Sequence, residues 1–273
     1  MTQSDNKNDS IDSWEKYKNW VSFVVEQKKD FFYRGQTEHQ WGLQTTFHRM
    51  ANGLNITLQQ YLETIIPEVH YYICAFHNEL IDLSVPEEFG SFLALLQHHG
   101  FPTPLLDWTL SPYIAAYFAY KDINDRCPQC EYVKIFIFDY LEWVKTFQQP
   151  LDLRNTSTKY VSVLRPHAKY NPRIIPQRGT YTVTNVSDMA QYILECSQTA
   201  NKTFLYFVTL PVADRPKVMR ELNLMGINEM SLFPGLDGLC ESLKEQFFSR
   251  DNVGLTIDQI KQSTEHYKNK DQK

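Results

Sequence analysis

Hydrophobic residues recur at helical spacing in several parts of this chain. Over residues 11–27 they fall on one face behind Asp12 or Ser13 as a cap, which predicts an amphipathic helix. Residues 58–83 extend the pattern over a longer helix with a break near Pro67. Shorter helices are predicted at residues 92–97, 112–119, 141–147, 217–224 and 239–248.

Strands are predicted where β-branched and aromatic residues cluster. Such runs occupy residues 30–36, 132–139 and 205–210, and two short strands are predicted around a turn at Gly179 within residues 173–183. Helices and strands are mixed, without internal repeats or a clear linker, so we predict one α+β domain. An N-terminal helix at residues 1–28 packs on the core of residues 29–250, and residues 251–273 form a polar tail.

Residues 95–112 hold the densest polar chemistry of the chain. They contain two adjacent histidines, two prolines and the run Asp107-Trp108-Thr109, and we interpret them as a shaped loop because each proline restrains its neighbour. Ser111 then caps a buried helix that begins at the following proline. The alternative is a strand–turn–helix connection in which Asp107 and Thr109 only cap the backbone. The density of polar groups favours a convergent site.

Composition limits the classes of function. A hydrophobic fraction of 42% indicates a globular chain, and a net charge of -5 disfavours a protein that coats nucleic acid. No apolar run of the sequence is long enough to span a membrane, and the N-terminus is polar. We therefore expect a cytoplasmic protein without a membrane partner. Five cysteines predict reduced thiols. Cys127 and Cys130 have the spacing of half a zinc site, but no second pair follows, so we predict no metal.

Positive charge is concentrated at two places. Arg34 ends an aromatic strand, where its planar guanidinium suits a phosphate or carboxylate; the alternative is an ion pair within the domain. Residues 154–187 contain no acid, and six Lys or Arg residues alternate with three tyrosines. This composition is equally compatible with two interpretations. The segment contacts phosphates and stacked bases, or it forms a solvated face whose charge is balanced by acids elsewhere in the chain. The candidate acceptor-binding residues are Arg165, Lys169, Arg173 and Arg178.

Several segments together resemble the FRG domain, a family named after its Phe-Arg-Gly motif. They are residues 32–36 (FYRGQ), residues 97–109 (QHHGFPTPLLDWT) with the helix at 115–119, residues 172–181 (PRIIPQRGTY) and residues 226–239. The resemblance covers residues 31–243. It departs from the family at Tyr33, which precedes the arginine, and at Pro104, where the family often has an arginine.

The FRG pattern is in turn similar to that of the ADP-ribosyltransferases. This similarity implies a split antiparallel β-sheet with flanking helices, and transfer of ADP-ribose from NAD to a nucleic acid (RNA or single-stranded DNA) or a protein. It also implies a toxin or defence effector, with an antitoxin or other regulatory protein as a candidate partner. The rival hypothesis is a non-catalytic module that binds a nucleotide or nucleic acid. A metal-dependent hydrolase using the adjacent histidines is disfavoured, because neighbouring side chains in extended chain point in opposite directions.

The resemblance also implies roles for individual residues. Those expected to contact NAD are Tyr33, Arg34, Gly35, Gln36, Phe101, Trp108, Thr109 and Ser111. Those expected to take part in catalysis are Arg34, His98, His99, Asp107, Thr109 and Gln177. Arg173 stands where the family has its catalytic glutamate, so Gln177 is the nearest polar residue and Asp107 the alternative carboxylate.

Overall fold

Six strands pair in one antiparallel sheet. In chain order they are β1 (Phe32–Gln36), β2 (Leu105–Thr109), β3 (Tyr132–Phe138), β4 (Val161–Leu164), β5 (Gly179–Thr184) and β6 (Leu205–Pro211). Their order across the sheet is β4-β5-β2-β1-β3-β6. The computed structural model describes residues 11–151, 153, 158–166 and 171–248, and within them the predicted α+β architecture is confirmed.

Helices flank this sheet. In chain order they are α1 (Trp14–Glu26), α2 (Thr46–Leu54), α3 (Leu58–Gln60), α4 (Ile66–His77), α5 (Pro86–His98), α6 (Pro112–Tyr120), α7 (Ile123–Arg126), α8 (Tyr140–Thr146), α9 (Met189–Ala200), α10 (Arg215–Leu224), α11 (Glu229–Leu232) and α12 (Leu236–Phe248). A π-helical turn, Tyr61–Ile65, joins α3 to α4, and a 3-10 turn, Val212–Asp214, precedes α10. No helix within the described ranges is long and apolar enough to cross a bilayer.

The middle of the sheet is its weakest junction. β1 and β2 are joined through the single residue pair Tyr33 and Thr109, whereas β1 pairs with β3 along its whole length. Beyond that pair the two central strands separate. The sheet therefore consists of two halves, β4-β5-β2 and β1-β3-β6, with a gap between them.

Both faces of the sheet are covered by apolar clusters. On one face, α1 and α6 pack on the β1 half, and side chains of α2 and α5 pack on the β2 half. The opposite face packs against α8 and α9 around Phe32, Trp108 and Phe138. α6 crosses β1 so closely that a Cβ on Gly35 would lie 1.9 Å from the carbonyl oxygen of Ala115. Position 35 therefore accepts only glycine without movement of α6.

The structure confirms most predicted elements and corrects several. Residues 105–109 are strand β2 rather than loop, and α5 extends to His98. Only one strand, β5, lies within residues 173–183, because residues 172–178 form turns and β5 pairs with β4. The sequence interpretation missed β4, α2 and α9. Cys127 and Cys130 form a disulfide, which corrects the prediction of reduced thiols for this pair. The predicted tail at 251–273 lies outside the described residues.

Candidate functional site

A cleft of about 660 Å³ opens where the two halves of the sheet separate. It is lined by β1, the end of β2 and the beginning of β5, together with the C-terminal end of α5 and parts of the loops around Trp41, Arg173 and Phe233. Its volume lies within the range of cofactor and ligand sites, about 300–1,000 Å³. The cleft is therefore the candidate functional site.

Arg34 crosses the gap between the two central strands. Its Nη1 donates a hydrogen bond to the carbonyl oxygen of Asp107 over 2.7 Å and lies 3.9 Å from the Asp107 carboxylate. Its Nε is buried and has no hydrogen-bond partner in the structure. Burial lowers the pKa of the Arg34 guanidinium, Arg49 lowers it further and Asp107 opposes both. Arginine nevertheless stays cationic, because its ordinary pKa exceeds about 12.

Asp107 presents a carboxylate to the cleft. Its side chain is 58% exposed, and its Oδ2 accepts a hydrogen bond of 2.8 Å from Nε2 of Gln97. Gln97 is itself held, since its Oε1 accepts a hydrogen bond from the hydroxyl of Thr103. Burial raises the pKa of the facing Tyr181, and the charge of Asp107 adds to the rise. The carboxylate is thus oriented by Gln97 while remaining accessible.

Two further arginines of the cleft, Arg49 and Arg173, form no ion pair with a carboxylate of the described residues. Nη1 of Arg49 donates to the carbonyl oxygen of Gln44 over 2.7 Å, and the guanidinium of Arg173 lies 5.2 Å from the centre of the Phe233 ring. Neither is within ion-pair distance of a carboxylate of the described residues. These two cations are free to bind an anion.

Two other cations of the cleft are already paired. Arg126 pairs with Asp122 at 3.0 Å, and Lys121 pairs with Glu229 at 2.9 Å. Lys121 also lies 4.4 Å from the centre of the Phe233 ring. They add less to anion binding than the unpaired arginines, because their charge is partly balanced.

The adjacent histidines have different surroundings. His98 ends α5 and lines the cleft, whereas the exposed His99 does not line it. Burial lowers the pKa of His98, and the positive charge of Arg173 and the neighbouring His99 lower it further. His98 is therefore neutral at pH 7 and able to accept a proton.

The aromatic residues expected to contact NAD are largely buried in the core. Trp108 is 3% exposed, its Nε1 donates to Thr182 Oγ1 over 3.0 Å, and its ring packs against Phe32 and Phe138. Tyr33 is buried in the cluster beneath α6, and Phe101 packs against the apolar cluster of α5 and does not line the cleft. Phe101 is therefore not placed to contact a ligand in the cleft. Tyr33 and Trp108 do line the cleft, so their contact with a ligand stays a prediction, although both are largely buried in the core.

Two aromatic residues missed by the sequence interpretation line the cleft instead. Trp41 is 47% exposed, and Phe233 lies between the cations of Lys121 and Arg173. Both lie in loops, so no hydrophobic periodicity marked them. The only available signal was an aromatic residue beside a glycine or proline in each loop.

The remaining polar candidates fix the loops around the cleft. Thr109 Oγ1 donates to the carbonyl oxygen of Gln177 over 2.8 Å, and Nε2 of Gln177 donates to the carbonyl oxygen of Leu232 over 3.1 Å. Nε2 of Gln36 donates to the carbonyl oxygen of Gly42 over 3.2 Å. Ser111 caps α6 by accepting from the N–H of Ile114 and does not line the cleft. Gln177 lies in a turn, which corrects the prediction of a strand before Gly179 within residues 173–183.

The expected acceptor-binding cations do not form one patch. Arg165 packs over the rings of Phe32 and Tyr140 and donates to the Tyr140 hydroxyl over 3.1 Å. Arg178 occupies an exposed turn with φ of 47°, outside the cleft lining. Lys169 lies outside the described residues, so Arg173 is the member of this group that lines the cleft.

Comparison with known proteins gives one match. Residues 29–127 match the family model of the FRG domain. This range contains the two central strands, β1 and β2, and the helix α6. Neither a curated protein nor a solved structure matches the chain. The match includes Arg34, His98 and Asp107.

Proposed function

The chain carries an FRG domain, and we propose that its cleft binds NAD and transfers ADP-ribose to a macromolecular acceptor. The observation that carries this proposal is Arg34, whose guanidinium bridges the split of the sheet beside the exposed carboxylate of Asp107. A split antiparallel sheet with an arginine on its first central strand is what the resemblance to ADP-ribosyltransferases implies.

The charges of the cleft suit a pyrophosphate. Arg34, Arg49 and Arg173 line it, and the buried Nε of Arg34 lacks a partner that a phosphate oxygen would supply. Guanidinium groups bind phosphates through paired N–H groups. The exposed Trp41 and the half-buried Phe233 offer faces on which flat rings stack. These residues together fit a dinucleotide.

The chemistry requires a carboxylate and a base. NAD supplies the ADP-ribosyl group, and its glycosidic bond to nicotinamide breaks while positive charge develops on the ribose. Asp107 would stabilise that charge, because an oriented carboxylate in a partly enclosed site interacts more strongly than one in water. His98 is neutral at pH 7 and would accept the proton released by the acceptor group.

A specific observation favours the rival function, binding without catalysis. β5 carries no acid, and neither do the described residues 171–187, so the usual place of the third-strand glutamate is without a carboxylate. A module of this kind would bind NAD or a related nucleotide through the same arginines and release it unchanged.

The test is nicotinamide release by the purified protein, compared between Arg34→Lys and Arg178→Lys. Lysine keeps the charge and loses the two-pronged geometry, so we expect Arg34→Lys to abolish turnover. Arg178 lies outside the cleft lining, so Arg178→Lys should retain it. Thermal melts of both variants control for folding. NAD binding without turnover would favour the binding module, and the absence of NAD binding would refute both.

The acceptor is tested separately. Labelled NAD incubated with cell lysate should give label that is released by nuclease if the acceptor is RNA or single-stranded DNA, and by proteinase if it is a protein. We favour nucleic acid, because Arg173 brings a cation of the acid-free segment to the cleft. Slower growth on expression of the active protein, relieved by Arg34→Lys, is the result expected of a toxin or defence effector.

A further inference from the structure

A compact turn between α7 and β3 brings two sulfur atoms against a carboxylate. The N–H of Cys130 donates to the carbonyl oxygen of Cys127 over 3.0 Å, which closes the turn. Sγ of Cys127 lies 3.1 Å and Sγ of Cys130 3.3 Å from the same oxygen, Oε2 of Glu38. Among the described residues, these three side chains are the group whose ligand atoms lie within 4.8 Å of one another.

The chemistry of this contact does not suit a disulfide. An ionised carboxylate only accepts hydrogen bonds, and the sulfur atoms of a disulfide carry no hydrogen to donate. Glu38 therefore places its lone pairs against those of two sulfur atoms with no proton or cation between them. A half-buried carboxylate in such a position needs an opposite charge.

The surroundings of Glu38 supply little such charge, because the charge of Lys134 acts on the carboxylate only from beyond ion-pair distance. No Lys or Arg of the described residues lies within ion-pair distance of Glu38. Its Oε1 lies 3.6 Å from Nδ1 of His39 and accepts a long hydrogen bond of 3.4 Å from the N–H of Gln40. Nδ1 of His39 is buried and has no hydrogen-bond partner in the structure. Within the described part of the chain, a carboxylate without an ion-paired Lys or Arg and an imidazole nitrogen without a hydrogen bond thus lie beside two cysteines at C-x-x-C spacing.

We propose that Cys127, Cys130 and Glu38 bind one zinc ion when the two cysteines are reduced, and that the ring of His39, which lies outside this group of three but 3.6 Å from Glu38, moves to give Nδ1 as the fourth ligand. Two thiolates, one carboxylate oxygen and one imidazole nitrogen are all ordinary ligands of tetrahedral zinc. The ion supplies the positive charge that Glu38 lacks, and binding releases the protons of the two thiols. This proposal runs against the prediction of no metal, which considered only a second pair of cysteines as the missing ligands.

The ion would join two segments at the rim of the cleft. Glu38 and His39 belong to the connection between β1 and α2, and the cysteines to the connection between α7 and β3. Trp41 and Arg126, which line the cleft, lie within three residues of this cluster in the chain. Zinc would therefore stabilise one wall of the cleft and would not itself be part of the transfer site.

The test uses cobalt as a spectroscopic probe for zinc. The full chain carrying Cys74→Ser, Cys196→Ser and Cys240→Ser is treated with a phosphine reductant, which gives two electrons to the disulfide and leaves two thiols. After the reductant has been removed without air, Co²⁺ is titrated in. We expect one Co²⁺ per chain, with the absorption of thiolate-to-metal charge transfer and of a tetrahedral ion, and displacement of the cobalt by zinc.

Variants assign the ligands. Glu38→Gln and His39→Ala should each weaken cobalt binding at least about 10-fold, since even groups that only orient metal ligands are worth about 10- to 100-fold in affinity. Glu131→Gln is the matched control, because this exposed acid follows Cys130 directly and its affinity should not change. Cys127→Ser with Cys130→Ser should remove the charge-transfer band, and circular dichroism verifies that each variant is folded.

Three results would overturn the proposal. The first is the absence of a thiolate band in the reduced protein at one equivalent of cobalt. The second is a band that persists when Cys127 and Cys130 are both serine. The third is an affinity of folded Glu38→Gln or His39→Ala equal to that of Glu131→Gln. Elemental analysis of the parent protein, purified under reducing conditions, should find one zinc per chain.

Discussion

Replacing Gly35 by alanine should destabilise the protein strongly, although the change adds only one methyl group. The new carbon would lie 1.9 Å from the carbonyl oxygen of Ala115 and 2.7 Å from the backbone nitrogen of Ala119. These are backbone atoms of a buried helix, so no side-chain rotation relieves the contact. β1 and α6 must move apart.

The size of the effect follows from the separation that is required. Unbonded heavy atoms pack at about 3.5 Å, so α6 would have to withdraw by roughly 1.5 Å. A gap of about 0.5–1 Å already loses a quarter to a half of the dispersion attraction. Overpacking of cores costs typically about 1–3 kcal/mol, and the rigid surroundings favour the upper end. A loss of about 3 kcal/mol corresponds to a fall in Tm of about 6–12 °C in a chain of this size.

Thermal and urea denaturation measure this loss, with Gly53→Ala as the matched control. A Cβ on Gly53 meets nothing within 4 Å, and the residue lies in α2. Alanine in a helix is favoured over glycine, so the control should keep or raise stability by up to about 1 kcal/mol. If Gly35→Ala melts like the parent protein, the close crossing of α6 over β1 is wrong. Gly35 is also predicted to contact NAD and lines the cleft, so lost NAD binding at unchanged stability would show that its role lies in the ligand contact.

Three further changes test single interactions. Trp108→Phe removes the hydrogen bond to Thr182, so it should lower the free energy of unfolding in urea by about 1–2 kcal/mol without raising KM for NAD. A raised KM at unchanged stability would instead make Trp108 a ligand contact. Asp107→Asn should lower kcat for nicotinamide release at least about 100-fold with an unchanged melt, and an unchanged kcat would exclude the carboxylate from catalysis. Burial lowers the pKa of His48 to about 4 against 6.5 in the unfolded chain, so its neutral form stabilises the fold above pH 6.5 and this stability is lost as the pH falls toward 4. His48→Gln should therefore reduce the loss of unfolding free energy between pH 7 and 4.5 by about 2–3 kcal/mol, and an equal loss in both proteins would contradict this assignment.

Sequence alone identified the residues that meet at the centre of the cleft. The motif that contains Arg34 lies more than 60 positions before the one that contains His98 and Asp107. The structure nevertheless brings all three residues to one cavity. The resemblance to the FRG domain carried this information, because residues 32–36 and 97–109 are among the segments on which it rests. The fold class also followed from the alternating helical and strand patterns.

The orientation of side chains could not be predicted once residues 105–109 were assigned to a loop. In strand β2 neighbouring residues point to opposite faces, so Asp107 points away from the face in which Trp108 is buried. A loop carries no such rule, and both residues were therefore assigned to the ligand. Trp41, Arg49 and Phe233 were not assigned to the site from sequence, because Trp41 and Phe233 lie in loops and Arg49 in α2, and only tertiary packing places them beside β1 and β2.

The single pair that joins β1 to β2 leaves two strand edges facing each other inside the sheet. Elsewhere in the sheet the backbone groups of these strands are used in ladders. Among the described residues, however, no strand pairs with the gap-facing edge of β1 beyond Tyr33 or of β2 before Thr109. The guanidinium of Arg34 takes the place of a strand N–H at the carbonyl oxygen of Asp107. An unpaired strand edge presents a row of N–H and C=O groups with which an extended peptide chain can pair. These unpaired edges lie between the two central strands and not at the outer strands β4 and β6, so another molecule reaches them only through the cleft.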